Sequence, residues 1–197
     1  MKSKSIVKST KSDRTRAQIL AAAQALFAEH GYDNTTIRDV AARASIDPAM
    51  VIRYFQSKDE LFARAAAIDL RLPGLKAGDA GRIGETLIRH FLDVWEGSGK
   101  GMAIMLRSAT SNEFAAEKMR EVFAKQVGPV IASVGSKASA ARRAGLVSSQ
   151  LLGLALCRYV LKLPPVVALS REDIVAHVGP VLQRYAVDEV EVRTSGR

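Results

Sequence analysis

The sequence predicts an all-α protein, and three observations lead to this fold class. Apolar residues recur at helical spacing along most of the chain, Ser/Thr-x-x-Asp/Glu capping boxes precede several of these segments, and no segment shows the alternation of a strand. At 197 residues the chain can hold one or two small domains with real cores. We therefore predict a three-helix N-terminal domain containing a helix-turn-helix, followed by a larger helical C-terminal domain.

Two short helices joined by a tight turn are predicted between residues 35 and 55. A capping box formed by Thr36 and Asp39 starts the first helix. Asp47 is placed as the N-cap of the second helix, with Pro48 at its first position, where a missing N–H costs nothing. The second helix carries a basic and an aromatic side chain, so the pair has the layout of a helix-turn-helix.

A longer helix precedes this pair and another follows it. The leading helix is expected to start at Ser12 or Asp13 and to stop at Gly31, and the following helix to run from the capping box at Ser57 to Leu72. The Pro/Gly-containing loop after Leu72 marks the domain boundary. The predicted division is a disordered basic arm (1–12), a helix-turn-helix domain (13–56), a connecting helix (57–72), a helical effector-binding and dimerisation domain (73–187) and a disordered tail (188–197).

The stretch from Arg14 to Phe62 resembles the DNA-binding domain of the TetR family of transcriptional repressors. The matching pieces are the leading helix RTRAQILAAAQALFAEHGYDNTTI, the helix and turn DVAARASI, and the ending RYFQSKDELF. That ending is close to the family's aromatic-Phe-x-Ser-Lys-acid-acid-Leu pattern. The resemblance implies a regulator of transcription, most often a repressor, that binds a palindromic operator as a homodimer and is released by a small hydrophobic effector.

Several side chains of this region are predicted to contact double-stranded DNA. Arg38 matches a base-reading position of the family, and the start of its helix offers hydroxyl and N–H groups to a phosphate. Ala49 and Met50 suit a thymine methyl group, whereas Tyr54 and Lys58 suit phosphates. Simple capping and solvation are the alternatives. The full predicted set is Thr35, Thr36, Arg38, Pro48, Ala49, Met50, Arg53, Tyr54 and Lys58.

One residue departs from the family pattern. Ile52 stands where the family commonly has a tyrosine that touches DNA. Because isoleucine has no hydroxyl, we assign it to packing, together with Val51 and Phe55.

Charge points to a polyanionic partner. The net charge is +9 and the pI about 9.9, and six of the positive charges lie in the first sixteen residues. The N-terminal segment is either a solvated tail or an arm that lies in a DNA groove.

The last two long helices carry more apolar surface than one core needs. Leucines and valines surround the penultimate helix, and Gly145, Ser149, Gly153 and Cys157 form a stripe of small residues on it. A central core helix of a monomer is one interpretation. The resemblance implies the other, in which these helices pair with those of a second copy.

Aromatic and methionine side chains cluster in the C-terminal half, with Tyr159 among them. Such a group is usually core, but the resemblance implies an effector cavity here, with His90, Arg107 and Gln150 as candidate polar contacts. The predicted ligand-binding set is Phe91, Trp95, Met102, Met105, Phe114 and Phe123.

The sequence contains no clear motif of an enzyme, a cofactor site or a membrane span. The three histidines lack metal-ligand spacing, and no phosphate loop or nucleophile elbow is present, so no catalysis, cofactor or metal is expected. The apolar run 146–163 is too polar to span a membrane. The lone Cys157 fits a reducing cytoplasm, as a core residue rather than a redox sensor. The rival class is a helical enzyme or small-molecule-binding protein without DNA-binding activity.

Overall fold

The computed structural model describes residues 10–72, 74, 77–98 and 100–187, and the regular structure within them is helical, as predicted. The α-helices are α1 (Lys11–His30), α2 (Ile37–Ala44), α3 (Pro48–Phe55), α4 (Lys58–Ala65), α5 (Ile83–Ser98), α6 (Lys100–Ser108), α7 (Glu113–Val122), α8 (Gly128–Ala132), α9 (Ala140–Ala155), α10 (Pro164–Val167) and α11 (Arg171–Val187). A 3-10 turn (Ala77–Arg82) precedes α5, and π-helical turns (Phe123–Val127 and Leu156–Val160) follow α7 and α9.

These helices form two compact units. The first unit contains the described residues up to Ala67 together with Lys100–Ala116, and the second contains 68–98 and 117–187. This division differs from the domain boundary at residue 73 that the sequence predicts, because α6 and the start of α7 belong to the same unit as the N-terminal helices. Within the first unit, Arg107 Nη1 donates to the Ala28 carbonyl oxygen at 2.9 Å. This hydrogen bond joins residues 79 positions apart, so the spacing of residues within a short segment could not predict it.

Short-range caps start the helices of the N-terminal region. The prediction for α1 was wrong by a few residues, because Thr10 is the N-cap and forms a reciprocal capping box with Asp13. Residues 11 and 12 are therefore helical, and the rest of the predicted arm, 1–9, lies outside the described residues, as does the predicted tail 188–197. The predicted N-caps Thr36, Asp47 and Ser57 are confirmed, each accepting a hydrogen bond from a backbone N–H of the first turn.

The core of the first unit follows the predicted stripe of α1. Ile19, Ala23, Leu26 and Phe27 are all buried. The Phe27 ring meets the edge of the Phe62 ring, with centroids 5.0 Å apart.

Helix α4 ends at Ala65, so the prediction of a helix continuing to Leu72 was wrong. The residues that follow bond to side chains instead of to a helical backbone. The Gln126 amide donates to the Ile68 carbonyl oxygen at 2.9 Å and accepts the Leu70 N–H at 2.7 Å. His90 Nε2 donates to the Leu70 carbonyl oxygen. Because these side chains satisfy the backbone polar groups, the chain can leave the helix without an unpaired donor.

The core of the second unit depends on a close approach between α5 and α11. A Cβ atom added to Gly84 would lie 2.7 Å from Cβ of Gln183 and would overlap the Gly179 carbonyl oxygen, so this crossing requires glycine. Helix α11 continues through Pro180.

A buried arginine was missed by the sequence analysis. Arg143 is 1% exposed, and its guanidinium donates to the carbonyl oxygens of Ile131 (3.2 Å), Ser136 (2.7 Å) and Ala186 and, through Nε, to Ser139 Oγ (3.0 Å). These bonds satisfy carbonyl groups near the ends of α8 and α11. No helix within the described residues combines the length and apolarity needed to cross a bilayer.

Candidate functional sites

The predicted DNA-binding residues all lie in the first unit, on α2 and the two residues before it, on α3 and at the start of α4. Helix α2 packs against α3, and α3 against α4. Thr36, Arg38, Pro48, Ala49 and Arg53 are exposed, whereas Met50, Tyr54 and Lys58 are half-buried. Eight of the nine predicted side chains therefore reach the surface of this unit.

The exception is Thr35, and its assignment to a phosphate site is corrected. Its side chain is 1% exposed, and its hydroxyl donates to the Gly31 carbonyl oxygen at 2.8 Å. The Thr35 N–H donates to the Tyr32 carbonyl oxygen. Thr35 therefore ties the loop before α2 to the end of α1.

The start of α2 has the features of an anion site. The Thr36 hydroxyl and N–H are both committed to the Asp39 carboxylate, at 2.7 and 2.8 Å. These bonds lower the pKa of Asp39, the side-chain bond contributing most. The first N–H groups of any helix lack intrahelical partners, and at the start of α2 two of these groups belong to Ile37 and Arg38.

Helix α3 is anchored by two residues rather than three. Val51 and Phe55 are buried at 0% and 1% exposure, but Ile52 is 44% exposed. The prediction that Ile52 packs in the core was therefore wrong. On this eight-residue helix the i, i+4 line of Val51 and Phe55 fills the contact with the neighbouring helices, and Ile52 lies on the flank beside Ala49.

Lys58 is held in place by groups that the sequence analysis did not single out. Its Nζ lies 4.2 Å from the centroid of the Tyr32 ring and 3.4 Å from the Asp33 carbonyl oxygen. The Tyr32 hydroxyl donates to the Asp59 carboxylate. Burial raises the pKa of Tyr32 most, and the hydrogen bond to Asp59 raises it further. Within the described residues Lys58 forms no ion pair, so its charge is available to a phosphate.

Two contacts fix α2 on α1. Arg43 forms a bidentate ion pair with Glu29, at 2.7 and 2.9 Å, and the Gln18 amide donates to the Ala44 carbonyl oxygen at 2.7 Å. Arg43 therefore helps to hold α2 on α1, although both it and Arg38, at the other end of the helix, are exposed.

The predicted effector set is divided between the two units. Phe91, Trp95 and Phe123 belong to the second unit, and Met102 and Met105 to α6 of the first.

Phe114 also belongs to the first unit, so its placement in a C-terminal cavity is corrected. Its ring lies 6.3 Å from the rings of both Tyr32 and Phe62, in the aromatic core beneath α4. The polar candidates His90 and Arg107 are committed to backbone carbonyl oxygens.

The second unit contains an aromatic cluster of three rings, Phe91, Trp95 and Tyr159. The Trp95 and Tyr159 rings are stacked, with centroids 4.7 Å apart, and Phe91 lies 6.0 Å from Trp95. Trp95 Nε1 is buried without a hydrogen-bond partner in this structure, and the Arg158 guanidinium lies beside Tyr159, 5.8 Å from the centroid of its ring. Burial raises the pKa of Tyr159.

Helix α9 and the segment after it expose small and apolar residues. Gly145, Ser149 and Gly153 are exposed, and a Cβ atom added to either glycine would meet no other atom within 4 Å. The exposed large apolar side chains beyond α9 are Leu161, Leu163, Val167 and Leu169, at 57%, 40%, 46% and 40%.

Comparison with family models matches both parts of the chain. Residues 19–65 match the model described as bacterial regulatory proteins, tetR family, and residues 81–186 match the model described as tetracyclin repressor-like, C-terminal domain.

Curated relatives resemble the N-terminal region. An HTH-type transcriptional repressor of Mycobacterium tuberculosis is 47% identical over 49 residues, and the HTH-type transcriptional regulator HbdR of an Aromatoleum species is 39% identical over 49 residues. These matches cover 25% of this chain and 26% and 21% of the two relatives. The matched region thus spans about a quarter of the length of the relatives.

Solved structures resemble nearly the whole chain. A TetR-family regulator from Streptomyces coelicolor is 28% identical with a TM-score of 0.61, covering 91% of this chain and 98% of that one. SmeT, the repressor of the Stenotrophomonas maltophilia multidrug efflux pump SmeDEF, is 21% identical with a TM-score of 0.61, covering 95% and 97%.

Proposed function

Because this chain belongs to the TetR family of transcriptional regulators, we propose that it is a cytoplasmic repressor that binds a palindromic operator as a homodimer and dissociates when a small effector binds. The observation that carries the proposal is the surface formed by the start of α2, the outer side of α3 and Lys58 of α4. Arg38, Arg53 and Lys58 add three positive charges to this surface, while the buried Val51 and Phe55 hold α3 in place.

The parts of this surface have different tasks in the proposal. The N–H groups at the start of α2 and the ammonium group of Lys58 bind phosphates, which fixes the position of the protein on the duplex. Arg38 and the exposed side of α3 contact base edges in the major groove, which gives sequence preference. Arg16, whose guanidinium lies 5.8 Å from the Tyr54 ring, adds a further charge beside α3.

The second unit supports association of two copies. The exposed glycines of α9 leave room for a close helix–helix approach, and the apolar side chains at 161, 163, 167 and 169 would be covered in a dimer. A dimer also fits operators composed of two half-sites about one helical turn apart.

The effector is proposed to bind in the second unit, against the cluster of Phe91, Trp95 and Tyr159. SmeT, which shares the fold at 22% identity, has been solved as a complex with triclosan. Release requires the effector to prefer the conformation that does not bind DNA, since equal affinity for both states shifts nothing. Gln126 and His90 hold Ile68 and Leu70 at the start of the second unit by hydrogen bonds, so a ligand that moves these side chains changes the segment that follows α4.

DNA selection and footprinting test the proposal. Genomic fragments bound by the full-length protein are sequenced, protected sites are mapped, and the mass of the free protein is measured by light scattering. We expect a dimer that protects an inverted repeat. A monomer that protects no defined site, yet binds hydrophobic molecules, would instead support the alternative of a small-molecule-binding protein without DNA-binding activity.

Lys58→Ala then tests the phosphate assignment. Affinity should fall by a similar factor on operator and random DNA, and the salt dependence should flatten by about one unit. Lys125→Ala, which removes an exposed lysine paired with Glu121 in the second unit, is the matched control and should change neither quantity.

A further inference from the structure

Lys58 lies against the turn 31–34 between α1 and α2, which is outside the predicted DNA-binding set. Its Nζ lies 4.2 Å from the centroid of the Tyr32 ring and donates to the Asp33 carbonyl oxygen at 3.4 Å. An ammonium group carries three N–H donors. The ring and the carbonyl oxygen engage two of them, so one remains for a phosphate, and the half-buried side chain is still accessible to it.

The Tyr32 ring is itself held on several sides. It lies 5.0 Å from the Phe62 ring, with an angle of 86° between their planes, and it is stacked on the Phe27 ring with centroids 6.2 Å apart. Its hydroxyl donates to the Asp59 carboxylate. These contacts keep the ring in one orientation, so it offers the ammonium group of Lys58 a fixed aromatic face.

The turn is also tied to the loop between α6 and α7, which belongs to the same unit. Asn112 Nδ2 donates to Asp33 Oδ1 at 3.1 Å, between residues 79 positions apart. The Asn112 side chain is fixed at its other end as well, because its Oδ1 accepts the Ala115 N–H at 3.1 Å in the manner of an N-cap. Asn112 therefore holds the residue whose carbonyl oxygen Lys58 contacts.

We propose that Tyr32 and Asn112 are positioning residues for the phosphate contact of Lys58. The inference rests on the proposed function and adds two residues that act without touching the duplex. A lysine has a flexible four-carbon stem, so a freely moving ammonium group loses conformational entropy when it binds a phosphate. Tyr32 restricts the ammonium group before DNA binds, and Asn112 fixes the Asp33 carbonyl oxygen beside it. A purely structural role would stabilise the fold and leave the Lys58 contact unchanged.

The ring is tested by two replacements of nearly the same shape. Tyr32→Phe and the replacement of Tyr32 by trifluorophenylalanine, introduced by amber suppression, both remove the hydroxyl. The fluorine atoms also withdraw the negative charge from the ring face that attracts a cation. We expect the fluorinated variant to bind operator and random DNA roughly two- to fivefold more weakly than Tyr32→Phe. In a Lys58→Ala background the two variants should bind equally.

The hydrogen bond of Asn112 is tested by exchanging its donor and acceptor. Asn112→Asp keeps an oxygen that can cap α7, but it places a second carboxylate opposite Asp33. The loss of affinity should be no larger than that of the fluorinated variant, because it acts through the same ammonium group, and it should also vanish in the Lys58→Ala background. Adding Asp33→Asn restores a donor opposite an acceptor at the wild-type net charge, so affinity should return.

A measurement without DNA separates this inference from the proposed function. The ε-methylene protons of Lys58 are next to Nζ, so the ring current of Tyr32 should shift their NMR signal upfield in the free protein. Asn112→Asp should move the signal toward that of a solvated lysine, and the added Asp33→Asn should move it back.

The inference is overturned if the fluorinated variant binds DNA as well as Tyr32→Phe does, or if the losses persist in the Lys58→Ala background, as a general loss of stability would cause. Failure of Asp33→Asn to rescue Asn112→Asp would remove Asn112 from the positioning role. A wild-type protein that shows the upfield Lys58 signal but binds no DNA would contradict the proposed function instead.

Discussion

Helices α1 to α4 and the helices of the second unit are stabilised by interactions of different range. The N-caps of α1, α2 and α4 each bond to a backbone N–H three residues ahead. In the second unit, Gln183 bonds to Gly84 and Ala80, which are 99 and 103 positions away, and Gln126 bonds to residues 56 and 58 positions away. The helix starts of the DNA-binding region are thus encoded locally, whereas the second unit is held by side chains that reach across the chain.

The difference matters for function. A recognition surface must present its side chains in one arrangement, because the duplex is a fixed template. Local N-caps and short apolar stripes provide that arrangement within a few short helices. A unit that responds to a ligand needs alternative arrangements instead, whose relative populations the ligand can change.

The largest expected effect comes from removing the buried guanidinium of the second unit. Arg143→Met keeps most of the apolar stem but leaves the carbonyl groups of Ile131, Ser136 and Ala186 without that donor, so we expect a loss of about 3–5 kcal/mol in the free energy of unfolding. Urea titration followed by circular dichroism measures it. Arg184→Met, at an exposed position of α11, is the control; an equal loss in that variant would contradict the role assigned to the buried guanidinium.

A smaller effect is expected at the base-reading position of the first unit. Arg38→Ala should cost about 1–3 kcal/mol in operator affinity and relax the preference at one base pair, without changing stability. Binding is measured on the operator and on a panel of single-base variants. Arg43→Ala, at the other end of α2, removes the ion pair with Glu29 and should lower stability without altering the base preference. If Arg38→Ala weakens random DNA equally, Arg38 contacts only the backbone.

The local cap of α2 should contribute less. Thr36→Ala is expected to cost about 1 kcal/mol of stability, the usual value for an N-cap. Because the hydrogen bonds from Thr36 lower the pKa of Asp39, their contribution is complete above the unfolded pKa near 4 and is lost as the pH falls through the lower folded value. The stability difference between wild type and variant should therefore narrow below about pH 4. A difference that widens with acidity would contradict this assignment.

The smallest effect concerns Ile52, whose exposure on α3 suits contact with a thymine methyl group. Replacing thymines of the selected operator one at a time by deoxyuridine removes single methyl groups. One position should weaken wild-type binding about fourfold, the value of one buried methyl of about 0.8 kcal/mol, and Ile52→Ala should abolish that sensitivity. If the sensitivity persists in Ile52→Ala, Ala49 or Met50 makes the contact.

Sequence reasoning succeeded where the deciding contact is close along the chain. The caps at Thr36, Asp47 and Ser57 and the buried stripe of α1 follow from spacings of two to four residues, which any reader of the sequence can count. It failed for Ile52 and Thr35 because apolarity and a hydroxyl do not say which side of a short helix or loop is covered. That depends on the neighbouring helices.

The sequence by itself determined the helical class, the helix-turn-helix and the N-caps of its helices. These depend on local hydrogen bonds and on the 3.6-residue period, and both are properties of short segments. Only the tertiary structure decided that α4 ends at Ala65, that Phe114 belongs to the core of the first unit, that Arg143 is buried, and that Trp95 stacks on Tyr159. Each of these depends on a partner far away along the chain, and no spacing within a short segment records where that partner lies.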